Sequence, residues 1–330
     1  MPSSRRVTFI VPGSIEMRTG GYEYDRRIID ELCARRWIVD VSEIRKGDAL
    51  PAVPDGQIVI LDGLALDSIR DPEHTADRLK LVLIVHMPGA SGIDERPAMK
   101  AARAIVVTGA GAKRAIVDSG IDAGRVTVVE PGTLYEWIGR GTRARPESGV
   151  VRLLSVGNIT EGKGHDRLVS ALGSIRERNW RLTIVGSLTR DPDAAARLDR
   201  LIRESPEVRD RIELTGELRE TYDAFASADA FVLATLQETY GMAVAEAISW
   251  ELPVVSTSAG EIPKIVGDGG IIVAPGDVGA LAAALSRLLS EPSLRATLRE
   301  GARRARGRLR TWDQPGDEMS ALLERVSADE

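Results

Sequence analysis

The chain has 330 residues, more than one hydrophobic core usually supports, so two domains of about 150 residues each are expected. Its composition, 43% apolar and 28% charged, excludes a disordered, collagenous or coiled-coil protein, and no apolar run reaches the roughly 20 residues of a membrane-spanning helix. A net charge of −5 removes the electrostatic drive for nucleic-acid binding, and one cysteine with three histidines leaves little material for disulfides or zinc. The single Cys33 and the absence of a cleavage site after the first apolar run favour a cytoplasmic location.

Apolar runs alternate with helix patterns along the first half of the chain, which is typical of parallel α/β sheets. The runs are rich in Val and Ile and nearly free of polar residues, as expected for strands covered on both faces. The predicted strands lie at 7–12, 37–44, 57–63, 79–87, 104–109 and 125–132, and helix patterns between them include 24–36 and 111–120.

Two features of this half point to a ligand. The turn between the first strand and its helix contains Gly20 and Gly21 without the G-x-G-x-x-G spacing, so it is typical of a phosphate or substrate turn and does not indicate dinucleotide binding. His86 ends the fourth run, and the carboxyl end of a central strand is where α/β sheets bind ligands. A lone histidine is more often structural than functional, so its position alone leaves the role of His86 open.

The alternation of strands and helices breaks at 135–150, where Gly, Pro, Ser and Arg replace the apolar period, and we predict a linker there. It resumes with predicted strands at 151–157, 181–186, 211–216, 230–235, 252–257 and 271–276, and with helices at 165–178, 194–205, 242–250 and 278–290. We therefore predict two doubly wound parallel sheets, in domains at 1–145 and 146–310, and a terminal helix at 311–330 that returns towards the first domain.

The second domain opens with SVGNITEGKGHDRL (155–168), a glycine-rich turn between a strand and a helix. The glycines allow the backbone to approach a ligand closely, and Lys163 offers a mobile positive charge. The spacing from Gly157 to Lys163 nearly matches a P-loop, but Gly164 stands where that motif has a Ser or Thr for Mg²⁺. An NTPase is therefore not expected, whereas phosphate binding through Lys163 is; the alternative is a structural turn with a surface lysine.

The most distinctive segment is ATLQETYGMAVAEAISWELPVVST (234–257), in which Glu238 and Glu246 stand eight positions apart. The predicted helix begins directly after Tyr240 and Gly241, so the backbone N–H groups of its first turn could bind an anion such as a diphosphate. Two carboxylates that accept hydrogen bonds from hydroxyl groups suit a polyol such as a sugar nucleotide. The spacing alone is equally compatible with structural roles, in which Glu238 is an acidic residue before the helix and Glu246 an ordinary exposed glutamate on it.

Two further patterns favour structural roles. Asp191-Pro192-Asp193 has the D-x-D spacing of some metal sites, but it precedes a helix, so we predict a helix N-cap. Residues 295–310 carry seven arginines, for which a solvated helix face is expected and contact with anionic lipid headgroups is the alternative.

Taken in order, these segments resemble glycosyltransferase family 4, the retaining enzymes of the GT-B fold. The resemblance covers nearly the whole chain and is carried by Gly20-Gly21, His86, ARAIVVTGAGAKRAIVDSG with RVTVVEPGT, the glycine-rich opening of the second domain, the E-x7-E motif and LPVVSTSAGEIPKIV. It implies two Rossmann-like domains that face each other across a cleft, with the acceptor side at 1–145 and the nucleotide-sugar side at 146–310.

The resemblance also implies a role for each matching residue. His86 would hydrogen-bond the transferred sugar, Lys163 would neutralise the diphosphate, and Glu238 would hold the hydroxyl groups of the donor sugar; these three are the candidate catalytic residues. Glu246 would bind the ribose. The other donor-binding positions that the resemblance implies are Gly20, Gly21, Asn158, Gly216, Leu218, Tyr240, Gly241, Met242 and Ala243.

Three positions depart from the family pattern. Asn158 replaces the usual arginine, which removes one of the two cations expected on the leaving diphosphate. Trp250-Glu251 replace small residues before the next proline, and Lys264 stands where a glutamate is frequent.

We therefore expect a retaining hexosyltransferase that uses a UDP-, GDP- or ADP-sugar, a hydroxyl acceptor and front-face attack. No cofactor or metal is expected, because a lysine and helix amides can carry the charge of the leaving group. The alternatives are a nucleotide-sugar binder with weak or no transferase activity, which Asn158 suggests, and a sugar-nucleotide epimerase or a glycogen-phosphorylase-like enzyme. A small soluble acceptor is favoured over a lipid, membrane contact is not favoured, no nucleic-acid partner is expected, and a monomer or a homodimer would both fit.

Overall fold

In the computed structural model, which describes residues 5–134, 149–177 and 179–328, the chain divides into two compact units. Unit 1 comprises Met1–Gly132 and Arg310–Glu330, and unit 2 comprises Thr133–Leu309. The predicted linker at 135–150 lies outside the described residues except for its last two positions, so the predicted boundary after residue 145 stays a prediction. None of the helices in the described part of the chain is both long enough and apolar enough to span a bilayer.

Unit 1 is built on one parallel sheet of six strands. The strands are β1 (Arg6–Pro12), β2 (Ile38–Ile44), β3 (Ile58–Asp62), β4 (Lys80–Val85), β5 (Ala104–Val107) and β6 (Val126–Val128). Their order in the sheet is β2-β1-β3-β4-β5-β6. The helices before unit 2 are α1 (Gly20–Ala34), α2 (Pro72–Arg78), α3 (Arg96–Ala101) and α4 (Ala110–Asp118), with short 3₁₀ turns at Gly63–Ser68 and Ala123–Arg125.

Unit 2 has a second parallel six-stranded sheet. Its strands are β7 (Val151–Val156), β8 (Trp180–Val185), β9 (Ile212–Gly216), β10 (Ala230–Leu233), β11 (Val254–Thr257) and β12 (Gly270–Val273), in the order β12-β11-β10-β7-β8-β9. The helices are α5 (His165–Ser174), α6 (Pro192–Glu204), α7 (Tyr222–Ser227), α8 (Met242–Ser249), α9 (Ile262–Val266), α10 (Val278–Ser290) and α11 (Pro292–Arg306), with 3₁₀ turns at Glu161–Lys163 and Gly267–Gly269.

The final helix, α12 (Asp313–Ala328), belongs to unit 1. It lies against α1, and the indole of Trp37 just after α1 donates a hydrogen bond of 2.9 Å to the hydroxyl of Ser320. Arg35 at the end of α1 forms an ion pair of 2.8 Å with Asp317. Helix α12 is therefore part of unit 1, although unit 2 separates it in sequence from the other helices of that unit.

Both sheets are buried between helices, which explains why the apolar runs predicted them. Every residue of β3 and every residue of β4 after Lys80 is buried, as a strand covered on both faces requires. In each sheet the strand order changes direction at one point, between β1 and β3 in unit 1 and between β7 and β10 in unit 2. The prediction of two doubly wound sheets is confirmed, and all twelve predicted strands are present.

The start of α1 corrects one expectation. The sequence pattern predicts Gly20 and Gly21 in a loop before a helix at 24–36, but α1 begins at Gly20, so both glycines form its first turn. The cause is Thr19, which has extended backbone dihedrals and whose hydroxyl accepts a hydrogen bond from Tyr22 N at 3.3 Å. A threonine in this position caps a helix, and that signal outweighs the low helix propensity of two glycines.

Candidate functional site

Two of the predicted residues of unit 2, Lys163 and Glu238, meet where the strand order changes direction. Lys163 follows β7 and Glu238 follows β10, and these two strands are neighbours in the sheet although their sequence positions are far apart. Their carboxyl ends therefore lie side by side, at the point where open α/β sheets bind ligands.

Lys163 and Glu238 form an ion pair across this sheet edge. The Nζ of Lys163 donates a hydrogen bond to Oε2 of Glu238 at 2.6 Å. The side chains keep 29% and 14% of their exposure, so both remain within reach of a ligand while partly shielded from water. The pair thus holds one cationic and one anionic group ready at the same point.

The loop that carries Glu238 is fixed to the loop that carries Lys163. The hydroxyl of Thr235 and the backbone N–H of Leu236 both donate hydrogen bonds to Gly162 O, at 3.1 and 2.8 Å. On its other side the loop touches Gly260, where an added Cβ would lie 2.4 Å from Glu238 O and the backbone has a φ of +55°. The glycine is needed for this close approach.

The helix start predicted after Tyr240 is present. Gly241 is the N-cap of α8 with a φ of +108°, and its Cα lies close enough to Glu238 that a Cβ there would be 3.7 Å from Cγ of the glutamate. The first N–H groups of a helix, here including those of Met242 and Ala243, have no acceptor within the helix and suit an anion. Tyr240 is buried in the core of unit 2, and Glu246 is half-buried in the second turn of α8.

Asn158 has a structural contact of its own. Its Oδ1 accepts a hydrogen bond of 3.0 Å from Ser187 N, which ties the loop after β7 to the loop after β8. The neighbouring Gly157 lies beside the aliphatic part of Lys163, since a Cβ on this glycine would be 3.5 Å from Cδ. Asn158 is therefore a neutral loop contact at the position where the family pattern has a cation.

The turn predicted beside a nucleobase follows β9. Gly216 ends this strand with a φ of +72°, and its carbonyl accepts a hydrogen bond of 3.0 Å from Gly186 N. Leu218 is partly buried and contacts the core of unit 2. Both residues lie at the same edge of the sheet as Lys163, because β7, β8 and β9 run parallel.

Two of the departures from the family pattern, Trp250 and Glu251, each have a structural contact. Trp250 is buried and packs edge to face on Tyr222, with ring centroids 4.7 Å apart. Glu251 has a φ of +57°, a left-handed conformation that favours glycine, and it forms an ion pair with Arg306 on α11. The left-handed backbone of Glu251 is unfavourable for a residue with a side chain, but its ion pair links the end of α8 to α11. Lys264, the third departure, lies on α9.

Next to Lys163 lies a histidine that the sequence did not single out as a site residue. His165 is the first residue of α5 and 2% exposed, and neither ring nitrogen has a hydrogen-bond partner among the described residues. Burial, together with the charge of Lys163, lowers the pKa of His165 to about 3. The imidazole is therefore neutral in the folded protein at working pH.

This buried histidine predicts a loss of stability in acid. Because an unfolded histidine has a pKa of about 6.5, the unfolded chain binds a proton between that pH and pH 3 that folded His165 does not bind. The contribution of His165 to the unfolding free energy is therefore constant above pH 6.5, and below that pH it falls by about 1.4 kcal/mol for each pH unit. From pH 7 to pH 5 we expect the wild type to lose about 2 kcal/mol more unfolding free energy than His165→Leu, measured by urea denaturation. The exposed His74→Gln serves as control, and equal losses in wild type and His165→Leu would contradict the prediction.

Unit 1 contains a second cluster, centred on His86. The ring follows β4, and its Nε2 lies 3.1 Å from Oδ1 of Asp25 on α1 and 3.5 Å from Oδ2 of Asp62 at the end of β3. Gly21 lies directly against the ring, since a Cβ on this glycine would be 3.1 Å from Cδ2 of His86. The structure therefore brings together two predicted site residues, Gly21 and His86.

The two aspartates determine the charge of this cluster. Burial raises the pKa of Asp25 to about 7, although His86 acts in the opposite direction. Burial would raise the pKa of Asp62 as well, but the hydrogen bond and charge of His86 lower it. Burial alone would lower the pKa of His86; Asp25 and Asp62 outweigh it and raise that pKa to about 10.

The same three side chains are the group among the described residues that is compact enough to surround a cation, with their oxygen and nitrogen atoms all within 4.8 Å. The hydrogen bond from Nε2 to Asp25 already occupies the nitrogen that would have to bind the ion. We therefore interpret the group as an imidazolium paired with the carboxylate of Asp62 and, above the pKa of Asp25 of about 7, with the carboxylate of Asp25 as well.

Asp25 and Asp62 were missed by sequence reasoning, although each left a signal. Asp25 interrupts the apolar face of α1 between the buried residues Tyr24 and Ile28, and Asp62 ends the otherwise apolar run IVILD. A carboxylate at a buried position calls for a partner.

The N-cap predicted for Asp191 is confirmed, because its side chain accepts a hydrogen bond from Ala194 N.

The sequence of this chain is similar to those of known glycosyltransferases. Residues 151–291 match the family described as glycosyl transferases group 1. A D-inositol 3-phosphate glycosyltransferase of Kineococcus radiotolerans is 32% identical over 256 residues, which cover 67% of this chain and 57% of that protein. The chain spans about half the length of the curated relatives it matches.

Two solved structures show the same fold. Sucrose-phosphate synthase of Thermosynechococcus elongatus has a TM-score of 0.80 at 20% identity and covers 98% of this chain and 100% of that chain. Anabaena HepE in complex with UDP-glucose has a TM-score of 0.79 at 15% identity, with coverage of 97% and 99%. The fold is therefore that of GT-B glycosyltransferases, with two Rossmann-like domains, and residues 151–291 are similar in sequence to glycosyl transferases group 1.

Proposed function

We propose that this chain is a retaining family 4 hexosyltransferase that moves a sugar from a nucleoside diphosphate to an acceptor hydroxyl. The proposal includes a reaction without metal or other cofactor and a cytoplasmic location. It rests on the likeness of residues 151–291 to group 1 glycosyl transferases and on structures such as HepE, whose complexes contain UDP and UDP-glucose.

One observation carries the proposal: the Lys163–Glu238 pair at the β7 and β10 edge, directly before the start of α8. A sugar nucleotide has hydroxyl groups on one part and a diphosphate on the other. Glu238 can accept hydrogen bonds from the hydroxyl groups, and Lys163 with the first amides of α8 can receive the negative phosphates. The two halves of the site match the two halves of the ligand.

The same groups fit the charges of the reaction. The bond between the anomeric carbon and the diphosphate oxygen breaks with its electrons on the oxygen, so negative charge grows beside Lys163 and α8. Preorganised cations and N–H dipoles at such an oxygen are often the largest source of rate enhancement. The acceptor oxygen then bonds to the same face of the carbon, and its proton passes to the departing oxygen.

In this proposal the remaining residues bind the donor. His86 and the Gly20-Gly21 turn contact the transferred sugar, and Glu246 contacts the ribose. The amides of Gly241, Met242 and Ala243 receive the diphosphate, while Gly216 and Leu218 lie beside the base and Asn158 and Tyr240 line the site.

Asn158 favours a second candidate, a nucleotide-sugar binder with weak or no transferase activity. Its side-chain oxygen is used by Ser187 N, and an amide carries no charge to offset that of the diphosphate. Lys163 and the helix amides then have to stabilise the leaving group without a second cation at this position.

A thermal-shift panel of UDP, GDP, ADP and their sugars tests the proposal. A ligand present at 100 times its dissociation constant stabilises the native state by about 2.7 kcal/mol, so a true donor should raise Tm by several degrees. The matching nucleoside monophosphate and inorganic phosphate are the controls. No shift with any nucleoside diphosphate or sugar would contradict the proposal, and a shift without turnover on any acceptor would favour the binder.

A further inference from the structure

The contacts of His86 are unequal at its two ring nitrogens. Nε2 faces both buried carboxylates, of which Asp25 is 0% and Asp62 1% exposed, while the imidazole itself keeps 17% exposure. Nδ1 makes no hydrogen bond to the described residues. The ring therefore offers a ligand the nitrogen to which no described residue is hydrogen-bonded.

The orientation of the ring is held from several sides. Gly21 lies close to Cδ2, and the ring of Tyr24 packs edge to face on the imidazole with centroids 5.4 Å apart. Asp62 is itself fixed, because its Oδ1 accepts a hydrogen bond of 2.6 Å from Leu64 N. A flip of the imidazole would exchange the Nε2 contacts with two carboxylates for contacts of carbon, and so is unfavourable.

We propose that Asp25 and Asp62 are positioning residues that hold His86 as a charged hydrogen-bond donor, with Nδ1–H as the group that meets the substrate. This inference rests on the proposed function and adds to it the role of His86 in the reaction. Of the described groups around the ring, Asp25 and Tyr24 approach from α1 and Asp62 from the end of β3. The charges of Glu318 on α12 and of Arg310 just before it act in turn on the pKa of Tyr24, the first raising it and the second lowering it.

The charges around the ring agree with this role. Asp62 keeps its negative charge beside the ring, and Asp25 gains its own as the pH rises past its pKa of about 7, so the surroundings favour a positive ring. The pKa of His86, raised to about 10, keeps both ring protons in place at working pH. Because an imidazolium has no lone pair on nitrogen, His86 does not take the proton of the acceptor, which goes to the departing diphosphate oxygen.

Nuclear magnetic resonance of ¹⁵N-histidine-labelled wild-type protein tests the charge of His86 without any activity. Between pH 5.5 and 8.5 we expect both nitrogens of His86 to keep imidazolium shifts, whereas buried His165 should show the shifts of a neutral ring. His86→Gln and His74→Gln assign the three sets of signals. A His86 signal that titrates near pH 6.5, or that is neutral throughout, would overturn the proposal even if the protein proves to be a transferase.

The pH profile of Asp25→Asn tests the role in the reaction. In the wild type His86 should stay an imidazolium from pH 6.5 to 8.5, so its ionisation should not change kcat over this range. In the variant the pKa of His86 should fall towards that of a free histidine, so kcat should be about tenfold lower at pH 8.5 than at pH 6.5. KM should change little by comparison, because the variant changes a charge and not a contact surface.

The controls separate a positioning role from loss of structure. Asp71→Asn removes the charge of an exposed helix N-cap in the same unit and should leave the wild-type profile unchanged. Asp62→Asn should show the same alkaline loss as Asp25→Asn and replaces it if that variant does not fold. A profile parallel to wild type, or one in which activity is lost towards acid as for a general base, would overturn the proposal. An inactive wild type with imidazolium shifts would contradict the proposed function alone.

Discussion

Lys163→Ala is expected to lower kcat for sugar transfer by about 10²–10³-fold, the range seen when one preorganised group that stabilises developing charge is removed. In this chain the effect should lie at the upper end, because Asn158 supplies no second positive charge at the neighbouring position. Steady-state kinetics with the donor identified by thermal shift measure it. Since Lys163 acts on charge that grows during bond breaking, kcat should fall more than KM rises.

The controls for this variant lie on the same stretch of chain. Arg167→Ala removes a cation of α5 that is paired with Asp166, and it should keep the wild-type rate. Lys163→Arg keeps a positive charge and should retain part of the activity. Wild-type kcat in Lys163→Ala would show that the lysine does not serve the leaving group.

Glu238→Ala is the second variant with a large expected effect. A hydrogen bond to a charged group contributes about 1.5–3 kcal/mol, so loss of the carboxylate that accepts from the sugar should lower kcat/KM by about 10- to 100-fold. Glu238→Gln keeps one oxygen acceptor and should lose less. The matched control is Glu204→Ala, an exposed glutamate at the end of α6.

The pair should also show coupling when both partners are changed. Because Nζ of Lys163 and Oε2 of Glu238 are only 2.6 Å apart and partly buried, either single alanine variant leaves one charge without its partner. The double variant should therefore lose less activity and less stability than the sum of the single variants. Fully additive losses, or a Glu238→Ala enzyme with wild-type kcat/KM, would contradict the shared site.

The fold could be predicted from the sequence because the signals for its strands and helices are local. A buried parallel strand is a short apolar run, and its helix is a periodic pattern that follows within a few residues, so IVILD (58–62) and LKLVLIV (79–85) could be assigned without knowing their neighbours. The same holds for Gly241, whose place just before an apolar helix is visible in the chain itself. The turn at Gly20 was placed wrongly, because the capping hydroxyl of Thr19 outweighed glycine propensity.

The amino-acid sequence by itself determined the order of strands and helices, the residue types at their ends, and hence Lys163, Glu238 and His86 as candidates. Only the tertiary structure decided which of these ends meet: β7 beside β10 joins Lys163 to Glu238, and β3 beside β4 with α1 encloses His86 between Asp62 and Asp25. The physical reason is that strand order within a sheet is set by long-range packing and not by local pattern. The charge of a side chain such as His86 then depends on neighbours dozens of positions away, which no local pattern contains.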